Sequence, residues 1–112
     1  MKKFVSIKKH DDFGRAYRQG KSYGNKLLVM YVFERGQGHE TRVGISVSKK
    51  VGNSVDRHRA VRLMREAYRL SDFVFPSGYD LLFIARNTIN STKCADVKKS
   101  IEAAAKRADF TV

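Results

Sequence analysis

Between Arg42 and Leu70 the apolar residues change period, and that change limits the fold more than any other feature of the chain. From Arg42 to Ser48 they alternate. Val43, Ile45 and Val47 fall on one side, and Arg42, Gly44, Ser46 and Ser48 fall on the other. This is the two-residue period of a strand with one buried face. From about Asn53 to Leu70 the spacing becomes that of an amphipathic helix. Ala60, Val61, Leu63, Met64, Ala67, Tyr68 and Leu70 spread over one broad side. At about 100° per residue, His58, Arg62, Arg65 and Arg69 fall within roughly 60° of one another on the opposite side, with Arg57 and Arg59 flanking them. Asn53 or Ser54 can cap this helix, and Asp56 suits its first turn. A strand with one apolar face followed by a helix with one apolar side requires a sheet on which the helix packs.

The remaining segments complete that plan. A short helix is expected near His10–Arg18, with Asp11 or Asp12 accepting backbone donors at its start, Phe13 and Tyr17 sharing a face, and Gly20 ending it. Tyr23 to Glu34 reads as one strand. Its two faces, Leu27/Val29/Tyr31/Phe33 and Leu28/Met30/Val32, are both apolar. Gly36-Gln37-Gly38 turns it into the next strand, about Glu40 to Lys49, and the two are expected to pair antiparallel. Tyr79 to Ala85 is nearly all apolar and reads as a central strand. A last helix is expected from Ser91, as cap, to Ala108, burying Val97, Ile101, Ala104 and Ala108. A short extra strand near Phe4 fits as well. The α-β-β-α-β-α order indicates an α+β fold, a central mostly antiparallel sheet with helices packed on it. With 112 residues and no Pro/Gly/Ser linker, the chain reads as one domain spanning 1–112.

Charge narrows the function. Lys and Arg number 23 against 11 Asp and Glu, a formal charge of +12. Such an excess attracts polyanions and costs stability through self-repulsion. An apolar fraction of 42% is enough for a folded core, which argues against a disordered basic tail. No apolar run reaches the ~18 residues of a membrane span, and the charged N-terminus lacks the apolar stretch of a signal peptide. Cys94 is the sole cysteine, which excludes an internal disulfide and a cysteine-based metal site and reads as a small buried apolar residue. A cytoplasmic location is the expectation from these features.

The arginine stripe points to phosphate. A merely solvated helix face alternates Glu and Lys to gain stability, whereas here only Glu66 stands among like charges. Guanidinium groups pair two phosphate oxygens at once and stack on bases. Lys49, Lys50 and Gly52 add charge and amide donors ahead of the helix N-terminus, a setting that suits a phosphate.

The stretch Arg42-Val43-Gly44-Ile45-Ser46-Val47-Ser48-Lys49-Lys50-Val51-Gly52-Asn53, continuing through Arg57-His58-Arg59 and Arg62-Leu63-Met64-Arg65-Glu66, closely resembles the protein subunit of bacterial ribonuclease P. The resemblance extends to Asp12-Phe13, Tyr17, Gly20, Tyr31 and Ile84-Ala85-Arg86, and so covers nearly the whole chain. One departure is His58, where the family usually has Asn between the two arginines.

The resemblance implies a small α/β sandwich with a left-handed β-α-β crossover, against the usual hand. It also implies a division of labour. A catalytic RNA subunit cuts precursor tRNA to the mature 5′ end with Mg²⁺, and this chain supplies no catalytic residue and no assignable metal site. Lys49, Lys50, Asn53, Arg57, His58, Arg59, Arg62, Arg65 and Arg69 would contact the catalytic RNA. Phe13, Tyr17, Val29, Tyr31 and Ser46 would hold the 5′ leader of precursor tRNA. No membrane and no obligate protein partner is expected. Periodicity alone reads the aromatics among these as core. The small polar strand face carrying Ser46 leaves room above it for water or for a ligand.

Two rivals are weaker. A protein-only nuclease would draw on His10, Asp11, Asp12, His39, Glu40 and His58, but no spacing among them suggests a metal site or a coupled acid–base pair. A ribosomal or other structural RNA binder matches the size and charge, yet leaves the polar-floored strand face without a purpose.

Overall fold

The computed structural model describes residues 4–109. The elements run α1 (His10–Gln19), β1 (Lys21–Gly24), β2 (Leu28–Glu34), β3 (Arg42–Ser46), α2 (Ser54–Leu70), β4 (Tyr79–Ala85) and α3 (Cys94–Arg107), with 3-10 turns at Lys49–Val51 and Asn87–Ser91. The sheet has the order β1-β2-β4-β3. Its β1–β2 and β2–β4 pairs are antiparallel and β3–β4 is parallel. Helix α2 forms the crossover that a parallel pair needs. The fold is therefore the mixed α+β sandwich expected, with a mostly antiparallel sheet.

The main core lies between the sheet and the α2/α3 layer. Leu28, Met30, Val43, Leu81 and Phe83 project from the strands against Ala60, Met64, Ala67, Val97, Ile101 and Ala104. Phe83 is fully buried. On the opposite face, Ala16 of α1 is buried along with Leu82 and Ile7. The alternation along β4 explains the two layers. Leu81, Phe83 and Ala85 serve the α2/α3 side, and Asp80, Leu82 and Ile84 serve the α1 side.

Several local expectations are corrected. The strand expected over Tyr23 to Glu34 is two strands. The Asn25 side-chain oxygen accepts from the amides of Leu27 and Leu28, and the Asn25 amide donates to the Leu28 carbonyl, closing a tight turn. The antiparallel pairing expected across Gly36–Gly38 does not form. Strand β4 inserts between β2 and β3, at the centre of the sheet where both of its faces are covered, as its nearly continuous apolar sequence requires. The loop instead ties to the start of β4, where the amides of Arg35 and Gly36 donate to the Gly78 carbonyl. Strand β3 covers only Arg42–Ser46 of the expected Glu40 to Lys49.

Ser91 does not cap the last helix. It belongs to the 3-10 turn, and α3 begins at Cys94, with Asp96 accepting from the Lys93 amide at 2.9 Å. Asp12 does not cap α1 either, since its carboxylate is engaged by Arg15 and Arg42. Near Phe4 the extra strand reduces to one parallel bridge, Ser6 to Val43. The cap of α2 is as read. Asn53 accepts from the Asp56 amide at 2.9 Å, and Asp56 accepts in return from the Asn53 amide at 3.3 Å.

Candidate RNA interface

Two surfaces carry the candidate residues, one on each side of the sandwich. The first is the outer side of α2. Burial of Ala60, Met64, Ala67 and Tyr68 against the sheet turns His58, Arg62 and Arg65 outward as exposed side chains, with Arg69 half-buried beside them. Between α2 and the start of α3 this side forms an open groove of about 540 Å³, bordered by Arg59, Arg62, Leu63, Arg65, Glu66, Arg69 and Cys94. Little opposes its charge. Glu66 lies 3.9 Å from Arg69, and Arg65 sits over the Phe4 ring at 5.3 Å from its centroid. Arg65 nonetheless stays exposed to solvent and Arg69 half-exposed. Cys94, expected to be buried, is only partly so and borders this groove.

The flanking residues differ from the stripe. Arg59 folds back toward the 3-10 turn ahead of α3, donating to the carbonyls of Asn90 at 3.2 Å and Thr92 at 2.6 Å. Arg57 is half-buried, with its Nε out of solvent and without a hydrogen-bond partner. Lys49 and Lys50 are exposed in the 3-10 turn just ahead of α2, where Ser48 accepts from the Lys50 amide. Asn53 spends its carbonyl oxygen on the helix cap. Arg59 and Asn53 thus have structural work that helical periodicity does not reveal.

The second surface is the sheet face beneath α1. Strand register aligns three rows across it. One is Phe33–Asp80–Arg42, the next Tyr31–Leu82–Gly44, and the third Val29–Ile84–Ser46. Helix α1 lies over the middle row. The Phe13 ring rests on Gly44, where a Cβ would stand 2.8 Å from the ring, and Tyr17 packs against Tyr31 with ring centroids 5.0 Å apart. The third row is left open. Val29 and Ile84 are half-buried, Ser46 is exposed, and Tyr17 is 55% exposed.

All five expected groove residues therefore lie on one sheet face, where the rings of Phe13, Tyr17 and Tyr31 stand along one side of a shallow trough whose low floor carries Val29 and Ser46. Burial and the neighbouring Tyr17 raise the Tyr31 pKa above its ordinary value. Sequence reasoning missed Ile84, the centre of the floor, because β4 reaches that position only through its long-range pairing. It also missed Arg86, whose guanidinium lies across Gly24 at the end of the same strands. The dipeptide Ala85-Arg86 at a strand end was its only signal.

Among the described residues no three His, Cys, Asp or Glu side chains converge to hold a metal ion. The pairs Asp12–Arg15 and Asp80–Arg42 are mutually neutralised by charge. No helix among these residues is long and apolar enough to cross a membrane.

Comparison with known proteins identifies the family. The family model described as Ribonuclease P matches residues 1–109. The chain is 50% identical over 109 residues to the ribonuclease P protein component of Clostridium novyi (strain NT), covering 96% of each chain. It is 45% identical over 107 residues to that of Clostridioides difficile (strain 630), covering 95% of this chain and 93% of the relative. Among solved structures, the Staphylococcus aureus RNase P protein superimposes with a TM-score of 0.81 at 33% identity, covering 96% of this chain and 98% of that one. The Thermotoga maritima protein gives 0.78 at 26% identity, covering 91% and 96%. Matched over nearly its whole length in sequence and in fold, the chain belongs to the ribonuclease P protein family.

Proposed function

We propose that this chain is the protein component of a ribonuclease P ribonucleoprotein that matures the 5′ end of tRNA, and that its two surfaces divide the work. The Arg62–Arg65–Arg69 side of α2, with Lys49, Lys50 and His58, docks on the catalytic RNA. The trough of Phe13, Tyr17, Val29, Tyr31 and Ser46 takes the single-stranded 5′ leader of precursor tRNA. The observation that carries the reading is the placement of a basic helix face and an aromatic trough on opposite sides of one sheet. A single RNA-binding surface would need only the first.

In this reading the reaction belongs to the RNA subunit and its Mg²⁺, and the chain binds and orients. Stacking on aromatic rings holds single strands at about 1–3 kcal/mol per base with little regard to sequence, which suits leaders of varied sequence. Arginines facing the catalytic RNA release counterions and offset phosphate repulsion, so less Mg²⁺ is needed to hold the complex. The site of action is the cytoplasm, and no further protein is required.

The test is cleavage of a precursor tRNA by the cognate catalytic RNA at low Mg²⁺, with and without this protein. Stimulation, together with tighter binding of precursor than of mature tRNA, is the expected result. Tight RNA binding without stimulation would overturn the reading in favour of a structural RNA binder. Cleavage by the protein without the RNA subunit would overturn the assignment of chemistry to RNA.

A further inference from the structure

The row behind α1 holds a charge cluster that neither RNA surface uses. Asp80 is the only charged residue of β4 and is 1% exposed. Arg42, its neighbour across the parallel pair, grips it with two prongs, Nε to Oδ1 at 2.8 Å and Nη2 to Oδ2 at 2.7 Å. The remaining prong of Arg42, Nη1, reaches Asp12 on α1 at 3.3 Å. Arg15 closes on the other oxygen of Asp12 at 3.0 Å. The bond to Asp80 holds the Arg42 guanidinium above its ordinary pKa. A chain thus runs from the centre of the sheet through Arg42 to the first turn of α1.

Burying such a cluster is a poor way to gain stability, because desolvation offsets most of the attraction. What it fixes is geometry. Helix α1 begins without a side-chain cap, and its other holds on the sheet include the buried Ala16, the ring contacts of Phe13 and Tyr17, and Arg15 over the Phe33 ring at 5.7 Å from its centroid. Asp12 and Phe13 are about 100° apart around the helix, and Tyr17 lies one turn beyond Phe13. Drawing Asp12 toward Arg42 sets the roll of the helix about its axis. That roll decides how the Tyr17 ring meets Tyr31, beside the open third row. With side chains about 5–6 Å from the axis, a roll of about 20° moves a ring by on the order of 2 Å, enough to spoil its stacking on a base.

We propose that Asp12, held by Arg42 and Asp80, is a positioning residue for the leader trough, acting through the placement of Tyr17 against Tyr31. This rests on the reading of the trough as the leader site. The reconstituted holoenzyme tests it. The quantity read is the ratio of precursor to mature tRNA affinity, for Asp12→Asn, Tyr17→Ala and the double variant. The affinity of each variant for the catalytic RNA alone is the control.

Asp12→Asn is expected to lower the ratio about fivefold, the lower end of one stacked base. The double variant is expected to be no worse than Tyr17→Ala, and binding to the catalytic RNA is expected to stay unchanged. Asp12→Glu keeps the charge on a longer arm. It is expected to lower the ratio without lowering the melting temperature, a result that unfolding of the Asn variant would not obscure. If both Asp12 variants keep the full ratio while Tyr17→Ala loses it, the proposal fails and the leader site stands. If the losses in the double variant multiply, Asp12 does not act through Tyr17 and the proposal fails. If Tyr17→Ala itself keeps the ratio, the leader reading fails and takes the proposal with it.

Discussion

Gly44→Ala offers the sharpest test of how the trough is built. A methyl group at this position would stand 2.8 and 2.9 Å from two atoms of the Phe13 ring and 3.2 Å from the Ile7 side chain, where ordinary contact begins at 3.4 Å. The ring must therefore retreat by at least about 0.6 Å (3.4 less 2.8), and α1 must move with it. Overpacking of this kind costs about 1–3 kcal/mol. Replacing Gly where the backbone is ordinary returns about 0.4–1 kcal/mol by restricting the unfolded chain.

The net expectation is a loss of roughly 0–2.5 kcal/mol in stability, read by denaturant unfolding. The functional loss should be larger than the stability loss. A displaced Phe13 forfeits most of one stacked base, about 1–3 kcal/mol, so the preference for precursor over mature tRNA should fall about fivefold or more. Affinity for the catalytic RNA should not change, because α2 lies on the other side of the sheet. A variant that is more stable than the parent and keeps its full preference for precursor would refute the reasoning, since Phe13 would then not be seated on Gly44.

Other expectations follow from the same geometry. Arg62→Ala with Arg65→Ala should flatten the salt dependence of catalytic-RNA binding by about 0.7–0.9 in slope for each phosphate no longer neutralised, measured by titration at several salt concentrations; an unchanged slope would count against this face. Arg59→Ala should destabilise the fold by about 1–3 kcal/mol in thermal unfolding, because it removes the donors to Asn90 and Thr92, whereas Arg62→Ala should leave the melting temperature within experimental scatter. Burial pushes the Tyr68 hydroxyl up to about 12 from 10.0, so the folded state favours the protonated form. The stability this supplies is complete below pH 10 and is lost as pH rises toward 12, and Tyr68→Phe should remove that part of the alkaline fall. Phe83→Ala should cost about 3–5 kcal/mol, read by denaturant unfolding, as the largest fully buried side chain of the core.

By itself the sequence determined what depends on neighbours along the chain. Helix α2 carries its own cap in Asn53 and Asp56, its own buried side, and its own arginine stripe, because residues three and four apart share a helix face whatever surrounds them. The faces of β3 and the apolar run of β4 are local in the same sense. Tertiary structure decided what depends on which strands meet. The apolar patterns of β2 and β3 are satisfied equally well by pairing with each other or with β4. Only the assembled sheet shows β4 between them, turning an expected hairpin into a parallel crossover. That insertion carries Ile84 to the floor of the trough, brings Asp80 beside Arg42 and aligns Tyr31 with Gly44 across Leu82. The partners of Arg59, contributed by a turn some thirty residues further on, are likewise beyond the reach of any local period. Periodicity records which side of an element is buried, and contacts between distant segments determine what buries it.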